Sequence, residues 1–499
     1  MVSLFGSLRP KRTNPPWKTR NFALQTNTAK KAETSKRTEV STMDISYSNI
    51  TKPLIISALA TLTACGSDSD ENTTTQGQKI PPYIPFVATI SAGDNQVFVT
   101  DGTSEGTIAV ADFHSSNNSE VIYQSIPFNN EWLMSVNTTD NGITLAKTDG
   151  TIEGTNLISS STLDGLFPQH LTVFKNQVFF KGSNDEGDSE LWITDGTAEG
   201  TKLFVNLDSG YFSAESPISG SPANLVVSGD QLFFSAYTSN TGREPWVSDG
   251  TVEGTRMIKD LTEDAMSSET YGYFPYNERV FFISGNRLWV SDGTSEGTFH
   301  FEKEGLNGPR AFIQLGDKLV IKAAGTNNYS SRGLWITDGT LDNTQRIELP
   351  HEDNAINDWA VLNNTLYYTV DGELYSYTEA NGALAISAEV NSIAYLEVHN
   401  NQLFFRANSL GGIELYTLID GAISNVKDIT DDVSSSNPYD LTSINGELIF
   451  VANDGETGYE LWKSNGTAEG TIQIKDIQEG SGSSNPSWCS LTNNCLRYE

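Results

Sequence analysis

The chain has 499 residues, with 63 Asp and Glu against 31 Lys and Arg, for a formal net charge of −32. A surface this acidic repels phosphate backbones and anionic head groups, which argues against nucleic acid as a partner. Five histidines scattered at 114, 170, 300, 351 and 399, and three cysteines, offer no ligand set at metal-site spacing.

Residues 1–42 are basic, lack hydrophobic periodicity and read as a doubtful N-terminal extension. Met43 then opens MDISYSNITKPLIISALATLTACGSDSDEN. Lys52 supplies a short positive region, 53–64 an apolar run and Leu62-Thr63-Ala64 a small-residue cleavage site, in the order of a secretory signal. The run is too short to span a bilayer, which takes ~20 residues. Leu62-Thr63-Ala64-Cys65 resembles the lipobox of bacterial lipoproteins. The resemblance implies that 43–64 is a signal peptide cut before Cys65, and that the Cys65 thiol carries a diacylglycerol. Gly66-Ser67 lacks the Asp that in such lipoproteins often signals inner-membrane retention, so the expected location is the outer membrane, on its periplasmic or cell-surface face. Residues 65–83 are polar, contain the pair Pro81-Pro82 and are expected to be a disordered tether.

From 84 to 499 one pattern keeps returning. ELWITDGTAEGTKLFV at 190–205 comes back as PWVSDGTVEGTRMIKD from Pro245, LWVSDGTSEGTFHFE from Leu288 and ELWKSNGTAEGTIQIKDI from Glu460. Weaker copies start at Val97, Leu145 and Leu334, while those from Glu373 and Glu414 keep the strand and lose the turn. Copies every ~45 residues have the period of propeller blades. The unit from Pro168 shows four beats: strands at 171–174, 177–182, 190–194 and 202–207, with a tight turn at Lys175-Asn176. Short β-branched and aromatic runs separated by Asn, Asp and Gly are hairpin signals. The expected fold class is therefore all-β, a propeller of nine four-stranded blades over 84–499. Eight blades is the alternative, because the Glu373 copy is degenerate and propellers typically have ~4–8. Residues 481–499 match 433–451 without a gap, and the Val97 copy has only 87–91 before its third strand. The C-terminal strand is thus expected to complete the first blade and close the ring, which hides two free sheet edges.

These motifs resemble the bacterial ELWxxDGT repeat family, strictly at 190–197, with Pro245 replacing the Leu and Asn465 the Asp of two other copies. The resemblance implies an exported, β-rich repeat protein and brings no catalytic residues with it. Asp101, Asp149, Asp195, Asp249, Asp292 and Asp338 begin turns in which Asp accepts amide hydrogen bonds two residues on, and Gly196 and Gly200 are expected to take positive φ. Trp192, Trp246, Trp289, Trp335 and Trp462 share one repeat position and are expected to pack between blades. The aromatic run YGYFPY at 271–276 aligns as a first strand. Asp185, Glu186, Asp188, Asp454 and Glu456 could offer oxygens to calcium, but each loop supplies few of the ~6–8 that calcium takes, so no cofactor is expected. Cys489 and Cys495 could form a disulfide in an exported chain, although the alignment places them on opposite faces of a hairpin around Asn493-Asn494.

No GxSxG, HExxH or phosphate-cradling loop occurs. The expected function is that of a non-enzymatic, lipid-anchored monomer that binds an envelope protein or glycan. One alternative is a glycan-cleaving hydrolase or lyase using channel carboxylates, and another is an envelope-assembly scaffold. Unrepeated residues clustered at the channel would point to a ligand or catalytic site.

Overall fold

The computed structural model describes residues 80–488, apart from 92–93, 114–120, 161–162, 164, 184–186, 209–210, 214–215, 218, 263–265, 325–331, 351–355, 387–388 and 431–432. Among the described residues there is no helix. Strands pair antiparallel with their sequence neighbours in nine sheets, covering 84–111, 122–158, 169–205, 223–257, 270–300, 307–347, 356–385, 391–427 and 439–475. These are blades 1 to 9. Blades 2 to 9 each have four strands in chain order, and a small extra hairpin joins Tyr211–Ser213 to Ser216–Pro217. The protein is a nine-bladed β-propeller, as the repeat count requires.

Local chemistry explains the hairpins. Lys175 and Asn176 both have positive φ (49° and 59°), as do Asn129-Asn130 and Asn400-Asn401. Two consecutive left-handed residues make the turn whose twist matches that of the flanking strands, and Asn tolerates that conformation best after Gly. The second strand of each blade is buried on both faces. In blade 3, Val178, Phe179 and Phe180 are all but inaccessible, so this strand reads as a continuous apolar run rather than an alternating one.

The core runs from blade to blade. Phe128, Leu133 and Leu145 of blade 2 pack with Leu171, Phe180 and Trp192 of blade 3. Phe404 and Leu415 of blade 8 pack likewise with Leu448, Phe450 and Trp462 of blade 9. Trp335 is buried in a cluster spanning blades 5 to 7, and the partly buried Trp246 and Trp289 lie at the seams of blades 3 with 4 and 4 with 5. Each buried aromatic contributes roughly 1.5–3 kcal/mol of hydrophobic stabilisation, so blade-on-blade stacking dominates the fold.

Blade 1 has three strands from its own stretch, and the C-terminal segment supplies the fourth. Val87 N donates to Ser487 O (2.8 Å), Ser487 N returns to Val87 O (2.9 Å), and Thr89 N donates to Ser484 O (2.8 Å). Asn437 and Asn485, 48 residues apart, share the same left-handed backbone (φ 46° and 43°), so the closing segment repeats the geometry of a first strand. Phe86, Phe98, Ile449, Val451 and Trp488 form one cluster across the seam, and Lys475 Nζ donates to Thr107 O (2.7 Å). The expected tether needs one correction: its last four residues belong to the propeller. Ile80 is buried in the seam, Asn445 Nδ2 donates to Pro82 O, and Trp132 Nε1 donates to Tyr83 O (2.6 Å). Ile80 and Tyr83 are the apolar residues of that stretch, and blades 1, 2 and 9 give them a surface to cover.

Candidate functional site

The repeated residues hold the blades together. Asp195 Oδ1 accepts the Thr197 amide (2.9 Å) and hydroxyl (2.7 Å), and these bonds keep the carboxyl below the usual carboxylate range. Asp101, Asp149, Asp249, Asp292 and Asp338 accept the same pair of bonds from Thr103, Thr151, Thr251, Thr294 and Thr340. Asn465 replaces Asp in blade 9 with the same pair of bonds from Thr467. Gly196 has the expected positive φ of 89°, but Gly200 does not. Gly200 is there for close approach, since a Cβ at that position would sit 2.0 Å from Asp195 Oδ1. Blade 6 has Asn343 instead, and its Nδ2 donates to Asp338 Oδ2 (2.6 Å).

Of the calcium candidates, Asp454 Oδ1 is occupied by the Glu456 (2.8 Å) and Thr457 (2.7 Å) amides. Asp188 is buried beside Glu190, and Asp185 and Glu186 lie outside the described residues. Among the described residues no group of three or more His, Cys, Asp or Glu could hold a metal ion. Cys65, Cys489 and Cys495 also lie outside the described residues.

Sequence reasoning missed the role of the glutamate that opens the ELW strand. Glu190, Glu244, Glu414 and Glu460 are buried, and each carboxylate accepts two backbone amides from the connection that follows its blade. Glu190 takes Leu207 N (2.8 Å) and Gly220 N (2.7 Å), and Glu244 takes Leu261 N (2.9 Å) and Ser268 N (3.2 Å). Glu414 takes Ile429 N (3.2 Å) and Ser436 N (2.8 Å), and Glu460 takes Ile477 N (3.0 Å) and Ser484 N (2.8 Å). Burial pushes all four carboxyls upward. The signal was present in the sequence: a charged residue recurring inside an apolar strand needs buried donors. In blade 7, Glu373 is exposed and accepts the Tyr375 hydroxyl (3.0 Å).

The first strands of neighbouring blades touch one another around the ring from blade 2 to blade 9, so they line the axis. Each carries a register shift against its second strand. Left-handed residues sit in several of these bulges: His170 (φ 59°), Asn224 (57°), Tyr395 (59°) and Asp440 (52°). A bulge takes a side chain out of the ladder and re-aims it, and because Asn224, Gly272 and Asp440 repeat the left-handed position of His170, the bulge is a feature of the blade. Polar side chains tie the ring together: Leu171 N donates to Gln124 Oε1 (2.8 Å) and Leu396 N to Asp358 Oδ2 (2.8 Å). YGYFPY is indeed a first strand, Thr270–Tyr276, with Tyr273 buried and stacked on Phe282.

Two groups of ionisable residues lie on or beside these inner strands: His170, Asp358, Tyr395 and Glu397 on first strands, Lys181 and Arg406 at one shared position of second strands, and Arg243 on a third strand. The first, on blades 3 and 4, is His170, Lys181 and Arg243. Lys181 pairs with Gln169 in the ladder, and Arg243 Nη1 donates to Ser221 O (2.9 Å) and Ser235 Oγ (3.2 Å). Burial, then the charges of Lys181 and Arg243, push His170 down to about 4. The second, on blades 7 and 8, is Asp358, Tyr395, Glu397 and Arg406. The Arg406 guanidinium lies 4.6 Å from the centre of the Tyr395 ring. Burial, then the neighbouring Asp358, push Glu397 up to about 8. Asp358 already accepts Trp359 N (2.9 Å) as well as Leu396 N. Blades 7 and 8 are the two whose copies have lost the DGT turn.

No family model and no curated protein sequence matches this chain. Solved structures share the propeller architecture at low similarity. The β-propeller domain of the Trilobed protease from Pyrococcus furiosus is 12% identical, covering 72% of this chain and 99% of that one, with a TM-score of 0.33. BamB from Moraxella catarrhalis is 12% identical over 66% of this chain and 95% of that one, with a TM-score of 0.34. Pyrococcus horikoshii acylaminoacyl peptidase is 13% identical over 62% of this chain, with a TM-score of 0.31, and the match spans only 52% of that peptidase.

Proposed function

We propose that this protein is an exported propeller, anchored to the outer membrane through Cys65, that binds a protein or glycan of the cell envelope in its axial channel without transforming it. One observation carries the reading. Residues repeated from blade to blade are occupied with turns, seams and connections, whereas His170, Asp358 and Glu397, ionisable groups the repeat does not fix, lie on the axis-lining strands. A structural requirement recurs in every blade, while a binding site is needed once. The test is ligand binding by the soluble domain 66–499 with Glu397→Gln, an axial change, against Glu253→Gln in an exposed turn. Loss confined to the axial variant supports the reading. Release of a Cys65→Ser variant from membranes on fractionation tests the anchor, and unchanged fractionation refutes it.

A second reading, glycan cleavage, is favoured by the proximity of Glu397 to Asp358. Glu397, protonated at neutral pH, has the state of a general acid. Its partner is the weak point, because Asp358 spends both carboxylate oxygens on the amides of Trp359 and Leu396. A carboxylate committed in this way makes a poor base or nucleophile, so binding is the better reading.

A further inference from the structure

We infer that His170, Lys181 and Arg243 form an oxyanion site on the axis between blades 3 and 4. The inference rests on the axial-ligand reading above and gives that ligand a charge and a position.

Cations are scarce in this chain of net charge −32, and several elsewhere pair with carboxylates or bond backbone carbonyls, as Lys259 does with Thr298 O (2.8 Å) and Lys427 with Thr471 O (2.8 Å). Lys147 pairs with Glu131 (3.1 Å), Lys463 with Glu447 (3.6 Å) and Lys318 with Glu379. Lys181 is half-buried and its Nζ makes no hydrogen bond to any described residue, and its proton affinity is lowered by burial and then by Arg243. Arg243 is held only through Nη1, by a carbonyl and a hydroxyl, which leaves Nη2 and Nε without a described acceptor. Glu269 acts on it through space without forming an ion pair. Two partly desolvated cations that act on one another, with no anion bonded to either, are costly to assemble. Those costs are offset once an anion sits between them.

The donor set also defines the ligand. A guanidinium with one edge free accepts two oxygens of a carboxylate, phosphate or sulfate side by side, and a lysine adds a point charge. His170 sits in its left-handed bulge next to Gln169, the ladder partner of Lys181, and Arg243 is held by Ser221 O, whose own amide donates to Ser189 O of blade 3 (2.7 Å), so both charges act on the imidazole. An anion between them raises the proton affinity of the imidazole, so binding takes up a proton and strengthens as pH falls toward the free-site value. The ligand class is a small oxyanion, either free or carried as the acidic group of a glycan.

The experiment is calorimetric titration of the folded domain 66–499 with inorganic phosphate and, separately, with glucuronate against glucose. Each is run in two buffers of different ionisation enthalpy, so that proton uptake is read directly. Saturable binding of either anion with proton uptake is expected, and the arm that binds more tightly identifies the source. Lys181→Met and Arg243→Lys should each weaken it by about tenfold or more, because each loses a charge-assisted contact, while Glu253→Gln should leave it unchanged. Absence of saturation by either anion up to ~10 mM, far weaker than a charge-assisted two-point contact gives, overturns the inference. So does wild-type affinity in Lys181→Met and Arg243→Lys variants that melt like the parent. An envelope ligand whose binding falls with Glu397→Gln but not with Lys181→Met refutes this site and leaves the axial reading standing. One affected by neither change refutes both.

Discussion

Glu460 is where the ring closes, and replacing it should unlatch the closing strand. Its fully buried carboxylate accepts Ile477 N (3.0 Å), Ser484 N (2.8 Å) and the Ser484 hydroxyl (2.5 Å). Ser484 O and, three residues on, Ser487 O receive the amides of Thr89 and Val87. Glu460→Ala leaves two amides and a hydroxyl without an acceptor, and each buried orphan costs ~1–3 kcal/mol. Allowing for water reaching the Ile477 side, which is only partly buried, the loss should be roughly 2–5 kcal/mol, a large share of the ~5–15 kcal/mol of a typical fold. Glu244→Ala is the control. It orphans Leu261 N and Ser268 N in a connection whose flanking blades stay joined by the chain. Both variants should therefore lower the denaturation midpoint, but only Glu460→Ala should accelerate amide exchange at Val87, Thr89 and Ser487. Equal exchange at those three amides in both variants, or a wild-type midpoint for Glu460→Ala, would refute the clamp.

Two further outcomes follow from the same geometry. Gly200→Ala should cost ~1–3 kcal/mol by overpacking against Asp195 Oδ1. In an Asp195→Ala background the clash partner is gone, so a double-mutant cycle in denaturant should give a coupling of ~1 kcal/mol or more, and strict additivity would contradict the close-approach role. Glu397→Gln should flatten the pH dependence of stability. The folded protein holds a proton to about 8 that the unfolded chain releases near 4.5, so the wild-type contribution is complete below the lower value and disappears as pH rises through the upper one. The variant should therefore be more stable than wild type above pH 8, and parallel urea midpoints at pH 5 and 9 would contradict this.

Much of the fold was legible because it is written locally and many times over. The hairpin at Lys175-Asn176 and the four beats from Pro168 use short-range chemistry, and the structure keeps each within a residue or two, while the match of 481–499 to 433–451 is kept where it falls on described residues, as at Asn485 and Asn437. The clamp was not read, since the partners of Glu190 lie 17 and 30 residues away in connections of no fixed pattern. Gly200 was assigned the wrong reason because close approach and positive φ both select glycine, and sequence alone does not separate them. The axial groups were hidden more deeply. His170 and Arg243 are far apart in the chain and meet through the stacking of blades 3 and 4, and the bulges shift the register that an alternation argument relies on.

The central claim, that the axis binds and the rim supports, is tested most directly by a panel of neutral, uronic and phosphorylated glycans. Binding to the soluble domain 66–499 is compared with two double variants, Lys181→Met with Glu397→Gln on the axis and Glu199→Gln with Glu253→Gln in the exposed turns. The account predicts that the axial pair loses binding by about tenfold or more for the ligand that wild type retains, while the turn pair matches wild type. Binding that survives the axial pair and falls with the turn pair would contradict it.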